Sequence, residues 1–490
     1  MATALGLDLG TSALKAVLID AGGVRAAAEA PVPVRSPGPG ASEQDPEDWW
    51  RALEAALGAL RADAPREFAA VGAIGLSGQM HGAVWLDGAD RPLRPAILWN
   101  DTRATREAAE AAALPWLEAA AGLRPGPGMT ACKHVWLARH EPDVAAATRR
   151  LTLCKDYLRL RMTGEHATDP CDAAGTLLLD EAARDWSDRA LDHFGMPRVS
   201  LPRVVEGPEP TGRLRPALAA AWGLDAAPVV IAGAGDGAAG ALGLGLVAPG
   251  EGFVSLGTSA QITITADVWR PAPGSGLQVL AHGLPGLWYR AAALQSGAGA
   301  IAWAARMTGR SVPELLAEAA ALDPAEEAPV FLPYLAGERT PHDDPDARGV
   351  VFGLGLAHGP AHLGRAVLRG LACALADGLA ALRGAGGVPA ELSVVGGGTR
   401  SPDLLALVAA ALDTPLVLRD GGGSGAALGV ARVALATLEG AEPATFLTPA
   451  PEAGRILPDP DLARALAGAL PRYRALYRAL RPSFAALARA

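Results

Sequence analysis

Long hydrophobic runs, cysteine pairs and excess positive charge are all missing from this chain of 490 residues. No run reaches the roughly eighteen apolar residues that a membrane-spanning helix needs, and no signal-peptide pattern precedes the first strand, so we expect a cytoplasmic protein. The four cysteines, Cys132, Cys154, Cys171 and Cys373, show no CxxC and no metal-ligand spacing, which indicates buried thiols. A formal net charge of −9 argues against a nucleic acid or an anionic membrane as partner.

Lysine and asparagine are scarce for a chain of this length. Lys15, Lys133 and Lys155 are the only lysines among 43 basic residues, and Asn100 is the single asparagine. Such a bias is typical of genomic base composition that favours arginine and alanine. A disfavoured residue that remains is therefore expected to supply chemistry that its substitutes lack, as lysine differs from arginine in geometry and hydration.

The abundant residues indicate an α/β protein of two units. Half of the chain is hydrophobic, and its length exceeds that of one ordinary domain. Apolar runs at Ala4–Leu9 and Leu14–Ile19 flank a Gly-Thr-Ser turn and predict a β-hairpin, while Asp45-Pro46 predicts the start of a helix. A strand at Val71–Leu76 and a helix at Leu363–Leu382 extend this alternation, which favours an α/β fold.

The pentapeptide Leu-Gly-Thr-Ser-Ala occurs twice, at Leu9–Ala13 and Leu256–Ala260. Both copies follow the first predicted strand of one half and precede a second apolar run, so we predict a duplicated domain with halves at residues 1–247 and 248–490. Each turn exposes backbone N–H groups and two hydroxyls that suit a phosphate. An ordinary hairpin turn favours the same residues, so a single copy leaves both interpretations open.

Two aspartates adjoin these turns. Asp8 ends a buried strand beside the first turn, where a carboxylate can hold Mg²⁺ directly or through water, and Lys15 either adds positive charge or faces solvent. Asp236 lies among glycines after the strand Val229–Ala232. There it would accept the proton of an alcohol during phosphoryl transfer, with a helix N-cap as the alternative interpretation.

Other glycine-rich and polar turns bear on the ligand. In Ser77–Gly82, Gln79 and His81 are expected to bind sugar hydroxyls, against the alternative of a satisfied loop histidine. The chain has no GxxxxGK[ST], which excludes a P-loop kinase. The segment 423–429 loosely matches a dinucleotide fingerprint, but its last glycine is one position late, so packing at a helix start beside a nucleotide fits better.

Together these motifs resemble the FGGY family of carbohydrate kinases over essentially the whole chain, and within it the bacterial xylulokinases. The matching segments, in order, are LDLGTSALK (Leu7–Lys15), SEQDPEDWW (Ser42–Trp50), SGQMHG (Ser77–Gly82), RPAILWNDTR (Arg94–Arg103), KHVWLARHEP (Lys133–Pro142), KDYLRLRMTGEHATDPCDAAGT (Lys155–Thr176), SLGTSA (Ser255–Ala260), FLPYLAGERTPHDDPDARGVVFGL (Phe331–Leu354) and VVGGGTR (Val394–Arg400). All three lysines and the asparagine lie within them.

The resemblance implies a two-lobed actin/hexokinase-like fold, related to ribonuclease H, with the active site in the cleft between two duplicated α/β domains. It implies transfer of phosphate from ATP to D-xylulose with Mg²⁺ as the metal, and a homodimer as the family-like assembly. The implied residues are Asp236 as general base and Asp8 beside the metal; Met80 and His81 with Asp236 around the ketose; Gly10, Thr11, Ser12, Gly257, Thr258 and Ser259 around the phosphates; and Gly397 and Gly398 beside adenosine. Gln79 on the sugar side and Lys15 beside the phosphates are expected from the chemistry of their side chains.

The chain departs from the family pattern at two places. Gly237 stands where these kinases usually carry asparagine, and Cys171 stands where they carry serine. The first change leaves another ketose or polyol, such as ribulose, L-xylulose or glycerol, as the alternative substrate. A hypothesis of another class is an actin-like ATPase or a sugar sensor without kinase activity.

The tail at Leu462–Leu480 is predicted to be helical, and packing back on the first domain is one arrangement open to it.

Overall fold

The structure is a computed structural model that describes residues 2–323, 326–420 and 425–487. Its first half contains, in chain order, β1 Thr3–Leu9, β2 Ala13–Asp20, β3 Gly23–Pro31, β4 Glu43–Gln44, α1 Pro46–Asp63, α2 Pro65–Ala69, β5 Val71–Gly78, β6 Val84–Leu86, β7 Ala96–Ile97, α3 Thr105–Ala112, α4 Leu117–Ala121, α5 Thr130–His140, α6 Pro142–Ala147, β8 Arg150–Thr152, α7 Cys154–Thr163, β9 Ala167–Thr168, α8 Pro170–Ala174, β10 Leu179–Asp180, β11 Asp185–Trp186, α9 Asp188–Phe194, β12 Arg203–Val204, β13 Pro210–Arg213, α10 Pro216–Trp222, β14 Val229–Ile231, β15 Ala234–Gly235 and α11 Asp236–Leu244.

The second half continues with β16 Gly252–Leu256, β17 Ala260–Ala266, β18 Gln278–Ala281, β19 Trp288–Leu294, α12 Gly299–Thr308, α13 Val312–Ala320, β20 Val330–Leu332, β21 Val350–Phe352, α14 Pro360–Gly384, β22 Leu392–Val395, α15 Pro402–Leu412, β23 Leu416–Arg419, α16 Gly425–Glu439, β24 Glu452–Ile456 and α17 Pro460–Leu487. No helix in the described ranges is both long and apolar enough to cross a bilayer.

Two mixed sheets, one in each half, are built on the same plan. In the first, β1 pairs antiparallel with β2 and parallel with β5. In the second, β16 pairs antiparallel with β17 and parallel with β22. The predicted hairpins on either side of both LGTSA turns are therefore confirmed, and each turn lies at the carboxyl end of the first strand of its sheet.

The sequence signals at Asp45 and Pro46 also predicted the start of the first helix correctly. Asp45 caps α1 by accepting a hydrogen bond from the backbone N–H of Glu47, and Pro46 occupies the first turn, where its missing N–H costs nothing. The helix buries Trp49, Trp50 and Leu53 against the first sheet. It therefore follows the predicted start and covers one face of the strands that lead to the site.

Helix α16 belongs to the second half by sequence, but it packs on the first sheet against β1 and β5. A Cβ added at Gly6 would overlap the carbonyl of Ala427, and one at Gly75 would overlap the carbonyl of Val430. Glycine at these strand positions lets the helix backbone approach closely. The described part of the segment 423–429 is the start of this helix, while Gly423 and Ser424 lie outside the described residues.

The tail forms α17, and it packs on the second half rather than the first. Its buried residues Leu466, Tyr473, Tyr477 and Phe484 join the core around α14 and α15. The Tyr473 hydroxyl donates a hydrogen bond of 2.7 Å to the hydroxyl of Tyr334. Of the two arrangements that the sequence left open for the tail, α17 adopts the one in which its apolar side chains complete the core of its own half.

Candidate active site

Two aspartates meet at the carboxyl edge of the first sheet. Asp8 is the penultimate residue of β1 and lies opposite Ser77 of β5. Asp236 begins α11 directly after β15, in which Ala234 also lies opposite Ser77 from the other side. The strand order thus brings together two carboxylates that are 228 positions apart in the sequence (236 minus 8).

Asp236 has an unusual electrostatic environment. Its side chain reaches the protein surface, yet its pKa is raised to about 7. Lost hydration is the largest cause, the negative charge of Asp8 acts in the same direction, and the backbone N–H of Gly237 opposes both effects. Since a general base works best with a pKa near the working pH, Asp236 is suited to accept a proton from an alcohol.

Asp8 is more enclosed than Asp236. Burial raises its pKa, while the hydroxyl of Ser77 and the ammonium of Lys15, its partner across the hairpin, lower it. Its Oδ1 atom is buried and has no hydrogen-bond partner in the part of the chain that the structure describes. A carboxylate oxygen left free beside a second carboxylate fits a hard divalent cation such as Mg²⁺. Lys15 itself is exposed, so the prediction that it touches phosphate remains a prediction.

The first LGTSA turn is tied down by the protein. The backbone N–H of Gly10 donates to the carbonyl of Ala13 at 3.0 Å. The hydroxyl of Thr11 donates to Gln79 Oε1 at 3.1 Å and accepts from the indole nitrogen of Trp99 at 3.0 Å. The exposed Ser12 is thus the residue of this turn whose side chain is open to a ligand.

Gln79 is engaged by neighbouring protein groups. Its side chain is 2% exposed, and its Nε2 donates to Gln44 Oε1 at 2.8 Å while its Oε1 is held by Thr11. Gln44 in turn donates to the backbone carbonyl of Thr11 at 2.7 Å. Gln79 therefore braces the first turn against the Ser77–Gly82 turn, and its contact with a sugar stays a prediction.

Met80 lies against the segment that carries the proposed base. A Cβ added at Gly235 would lie 2.7 Å from Met80 Cγ, so the glycine lets Met80 pack directly beside the residue before Asp236. Cys171 shares this contact region, with its sulfur 4.0 Å from the Gly235 carbonyl. All four cysteines are free and buried, as expected. The Cys171 departure thus lies beside the base, and a serine hydroxyl there would gain a hydrogen-bond acceptor.

His81 is held by its ring and by its backbone. The ring nitrogen Nδ1 lies 2.7 Å from the carbonyl of Gly175, just after α8. Burial lowers the pKa of His81 to about 4, so the imidazole is neutral near pH 7. Because a carbonyl only accepts, the single ring proton resides on Nδ1, and Nε2 carries a lone pair that can accept a hydrogen bond from a hydroxyl group.

The second LGTSA turn opens onto a cavity of about 770 Å³. Gly257 and Thr258 line it together with Gly397 and Gly398, the glycines that follow β22. Apolar side chains such as Ile301 complete the wall. Mixed glycine and apolar lining suits a planar base beside a phosphate turn. Ser259 is exposed at the turn itself.

Several groups around His81 had not been assigned a role from the sequence. Lys133 and Thr130 of α5 both donate to the carbonyl of His81. Arg339 carries a positive charge that lowers the pKa of His81, and it lines a cavity of about 310 Å³ between the two halves. The scarcity of lysine pointed to Lys133 without assigning a role. No comparable signal marked Arg339 in a chain rich in arginine.

Gly237 leaves room beside the base. A Cβ there would meet only the hydroxyl of Tyr289, at 3.6 Å, which is ordinary contact. The backbone therefore does not require glycine at this position. The departure from the family's asparagine removes a side chain rather than relieving a clash.

Comparison with known proteins identifies close relatives. The family models described as FGGY family of carbohydrate kinases match residues 3–243 with the N-terminal domain and residues 252–438 with the C-terminal domain. Xylulose kinase of Escherichia coli (strain K12) is 45% identical over 433 residues, covering 88% of this chain and 89% of that protein.

Solved structures agree with these matches. A crystal structure of a protein described as a xyloylose kinase, from Brucella ovis, superposes with a TM-score of 0.96 at 46% identity and covers 98% of this chain and 99% of its own. Xylulose kinase from Rhodospirillum rubrum gives a TM-score of 0.91 at 29% identity, with the same coverage of both chains.

Proposed function

The chain belongs to the FGGY family of carbohydrate kinases, and from this premise we propose that it transfers the γ-phosphoryl group of ATP to D-xylulose, forming D-xylulose 5-phosphate and ADP. It has the two domains and the actin/hexokinase-like fold that the resemblance implied. In this proposal residues 1–247 carry the sugar side and residues 248–490 the adenosine side, although α16 crosses onto the first sheet.

The observation that carries the proposal is the position of Asp236. It lies between Asp8 and the Met80 contact, and its pKa of about 7 suits proton transfer. As the C5 hydroxyl oxygen of the ketose forms its bond to the γ-phosphorus, its proton passes to the Asp236 carboxylate, and the bond from phosphorus to the β-phosphate bridging oxygen breaks. An ATPase that only polymerises or acts as a chaperone needs no such base.

The remaining residues position the reactants. Nε2 of His81 accepts a hydrogen bond from a ketose hydroxyl, and Met80 packs on the carbon chain. The turns Gly10–Ser12 and Gly257–Ser259 bind phosphate oxygens, with Gly397 and Gly398 beside adenosine. Asp8 would hold Mg²⁺, which when bound neutralises charge on the phosphates. Closure of the halves would exclude water and so suppress hydrolysis of ATP.

A second substrate class is favoured by one observation, the space beside Gly237. Without the asparagine that the family usually carries here, the preference for D-xylulose over other ketoses or polyols is expected to be smaller. A coupled ADP-release assay over D-xylulose, D-ribulose, L-xylulose and glycerol tests this ranking. Turnover fastest on D-xylulose is expected, and fastest turnover on another compound would replace the substrate but keep the kinase. ATP hydrolysis independent of every ketose and unaffected by Asp236→Ala would contradict the kinase itself.

A further inference from the structure

Lys133 is a buried lysine that the reaction described above does not use. It lies in α5 with 1% of its surface exposed. Its ammonium donates to three backbone carbonyls, those of His81 at 2.6 Å, Ile97 at 2.9 Å and Leu98 at 3.2 Å. All three of its N–H groups are therefore committed to the backbone of the segments around the sugar side.

The other buried lysine shows how different this arrangement is. Lys155 is fully buried in the same half, but its ammonium lies 2.6 Å from Asp156, 2.6 Å from Asp169 and 3.2 Å from Asp172. These carboxylates raise the pKa of Lys155, whereas burial lowers the pKa of Lys133 to about 7. Lys155 compensates buried negative charge. The hydrogen-bond partners of Lys133 in the described part of the chain are backbone carbonyls, so it serves to orient the backbone.

The backbone that Lys133 orients is strained. His81 has a φ of +67°, a left-handed conformation that residues with a side chain rarely adopt. A second donor, the hydroxyl of Thr130, reaches the same His81 carbonyl at 2.8 Å. Lys133 and Thr130 lie three residues apart, so both project from one face at the start of α5. Two donors from one rigid helix thus hold the peptide that follows His81 in a single orientation.

The ring of His81 depends on that orientation. With the carbonyl held toward α5, the side chain reaches Gly175, which fixes the proton on Nδ1. If φ of His81 changed to an ordinary negative value, its carbonyl would turn away from α5, the Cα–Cβ bond would change direction relative to the preceding peptide, and the ring would leave Gly175. The hydrogen bonds from α5 hold the backbone of His81, and the contact with Gly175 holds its ring. Together they restrain the residue in one conformation.

We propose that Lys133 is a positioning residue for the sugar: with Thr130 it holds His81 in the left-handed conformation that presents Nε2 to the ketose. The proposal rests on the proposed function, because it assigns the sugar to the His81 side of the cleft. It accounts for the position of one of only three lysines in the chain, whose hydrogen-bond partners among the described residues are backbone carbonyls.

Kinetics of matched variants test the proposal. Lys133→Met keeps length and removes the donors, Thr130→Val keeps shape and removes one donor, and Thr130→Ser retains the hydroxyl. We expect KM for the ketose to rise about tenfold or more in Lys133→Met and about threefold in Thr130→Val, with KM for ATP within about twofold of the parent. Thr130→Ser should restore the parental ketose KM.

Leu137→Ala is the control for helix damage, since Leu137 is a fully buried core residue one turn further along α5. We expect it to lower the melting temperature without changing the ketose KM. An equal rise of the ketose KM in Leu137→Ala, or equal rises of both KM values in Lys133→Met, would overturn the proposal. If Lys133→Met does not fold, the ketose KM of the Thr130 variants decides. A rise in Thr130→Val that is absent in Thr130→Ser supports the proposal, and no rise in Thr130→Val overturns it.

A structural readout separates this proposal from the proposed function. The crystal structure of Thr130→Val or Lys133→Met should show His81 with a negative φ, or its ring detached from Gly175. Unchanged His81 geometry in both variants would refute the positioning role. If the parent protein phosphorylates no ketose, the proposed function fails, and this crystallographic result still decides whether α5 holds His81.

Discussion

The two LGTSA turns have the same sequence and the same hairpin, but they differ in what surrounds them. In the first turn, the Thr11 hydroxyl is used twice, by Gln79 and by Trp99. In the second turn, Thr258 is exposed and lines the cavity of about 770 Å³. Two carboxylates adjoin the first turn, and glycines adjoin the second. Identical local sequence therefore gives a braced reaction site in one half and an open binding site in the other.

The largest expected effect comes from removing the base beside the first turn. Asp236→Asn should lower kcat by about 10²–10⁴-fold, because an amide cannot accept the hydroxyl proton that the proposed mechanism passes to the carboxylate. The coupled ADP-release assay measures it. Asp267→Asn, which changes an exposed acid directly after β17 in the other hairpin, is the matched control and should stay near parental activity. Similar losses in both variants would show that the effect is not specific to Asp236.

The pH profile should report the same carboxylate. Asp236 must be ionised to act as a base, and its pKa is raised to about 7, so activity is lost as the pH falls below that value. We expect kcat/KM for the ketose to drop about tenfold per pH unit on the acid side and to level off above it. The residual activity of Asp236→Asn should lack this limb. An unchanged acid limb in that variant would assign it to another group.

The second turn should respond to filling its cavity. A side chain at Gly397 would meet only the flexible guanidinium of Arg400, so Gly397→Val is expected to fold. It should raise KM for ATP about tenfold by occupying space meant for adenosine, while the ketose KM changes little. Steady-state kinetics with each substrate varied separately checks this. A rise confined to the ketose KM would place the adenosine site elsewhere.

The smallest expected effect is a difference in the free energy of unfolding between variants of the two turn threonines, Thr11 and Thr258. Thr11→Val leaves the buried Gln79 without one partner and should lower the free energy of unfolding by about 1 kcal/mol. Thr258→Val changes an exposed side chain and should stay within about 0.5 kcal/mol of the parent. Urea unfolding followed by tryptophan fluorescence measures both. Equal changes would show that the bracing of the first turn contributes nothing to stability.

Local signals in the sequence were enough for the elements that carry the site. Apolar runs around Gly-Thr-Ser predicted both hairpins, and Asp45 with Pro46 predicted the start of α1. They did not predict the protein partners of Gln79, whose amide contacts Gln44 and Thr11 in the folded chain. A polar residue after a strand has no local mark that tells which partner will reach it.

The positions of α17 and α16 depend on long-range packing and could not be predicted from composition. The same apolar periodicity would let α17 cover either half, and only the fit of Tyr473 and Tyr477 to the core around Tyr334 selects the second. Likewise, α16 reaches the first sheet because Gly6 and Gly75 allow its backbone to approach. These choices depend on shape complementarity between segments hundreds of residues apart, which a linear pattern does not encode.

By itself, the sequence determined the family, the two α/β halves, the twin turns and the aspartates beside the first of them, because these depend on local residue order. The tertiary structure alone decided that Asp8 and Asp236 share one edge, that burial brings the pKa of Asp236 to about 7, and that Lys133 holds the backbone of His81. Each of these is a relation between distant segments, and its energy comes from desolvation and contact geometry that exist only once the chain has folded.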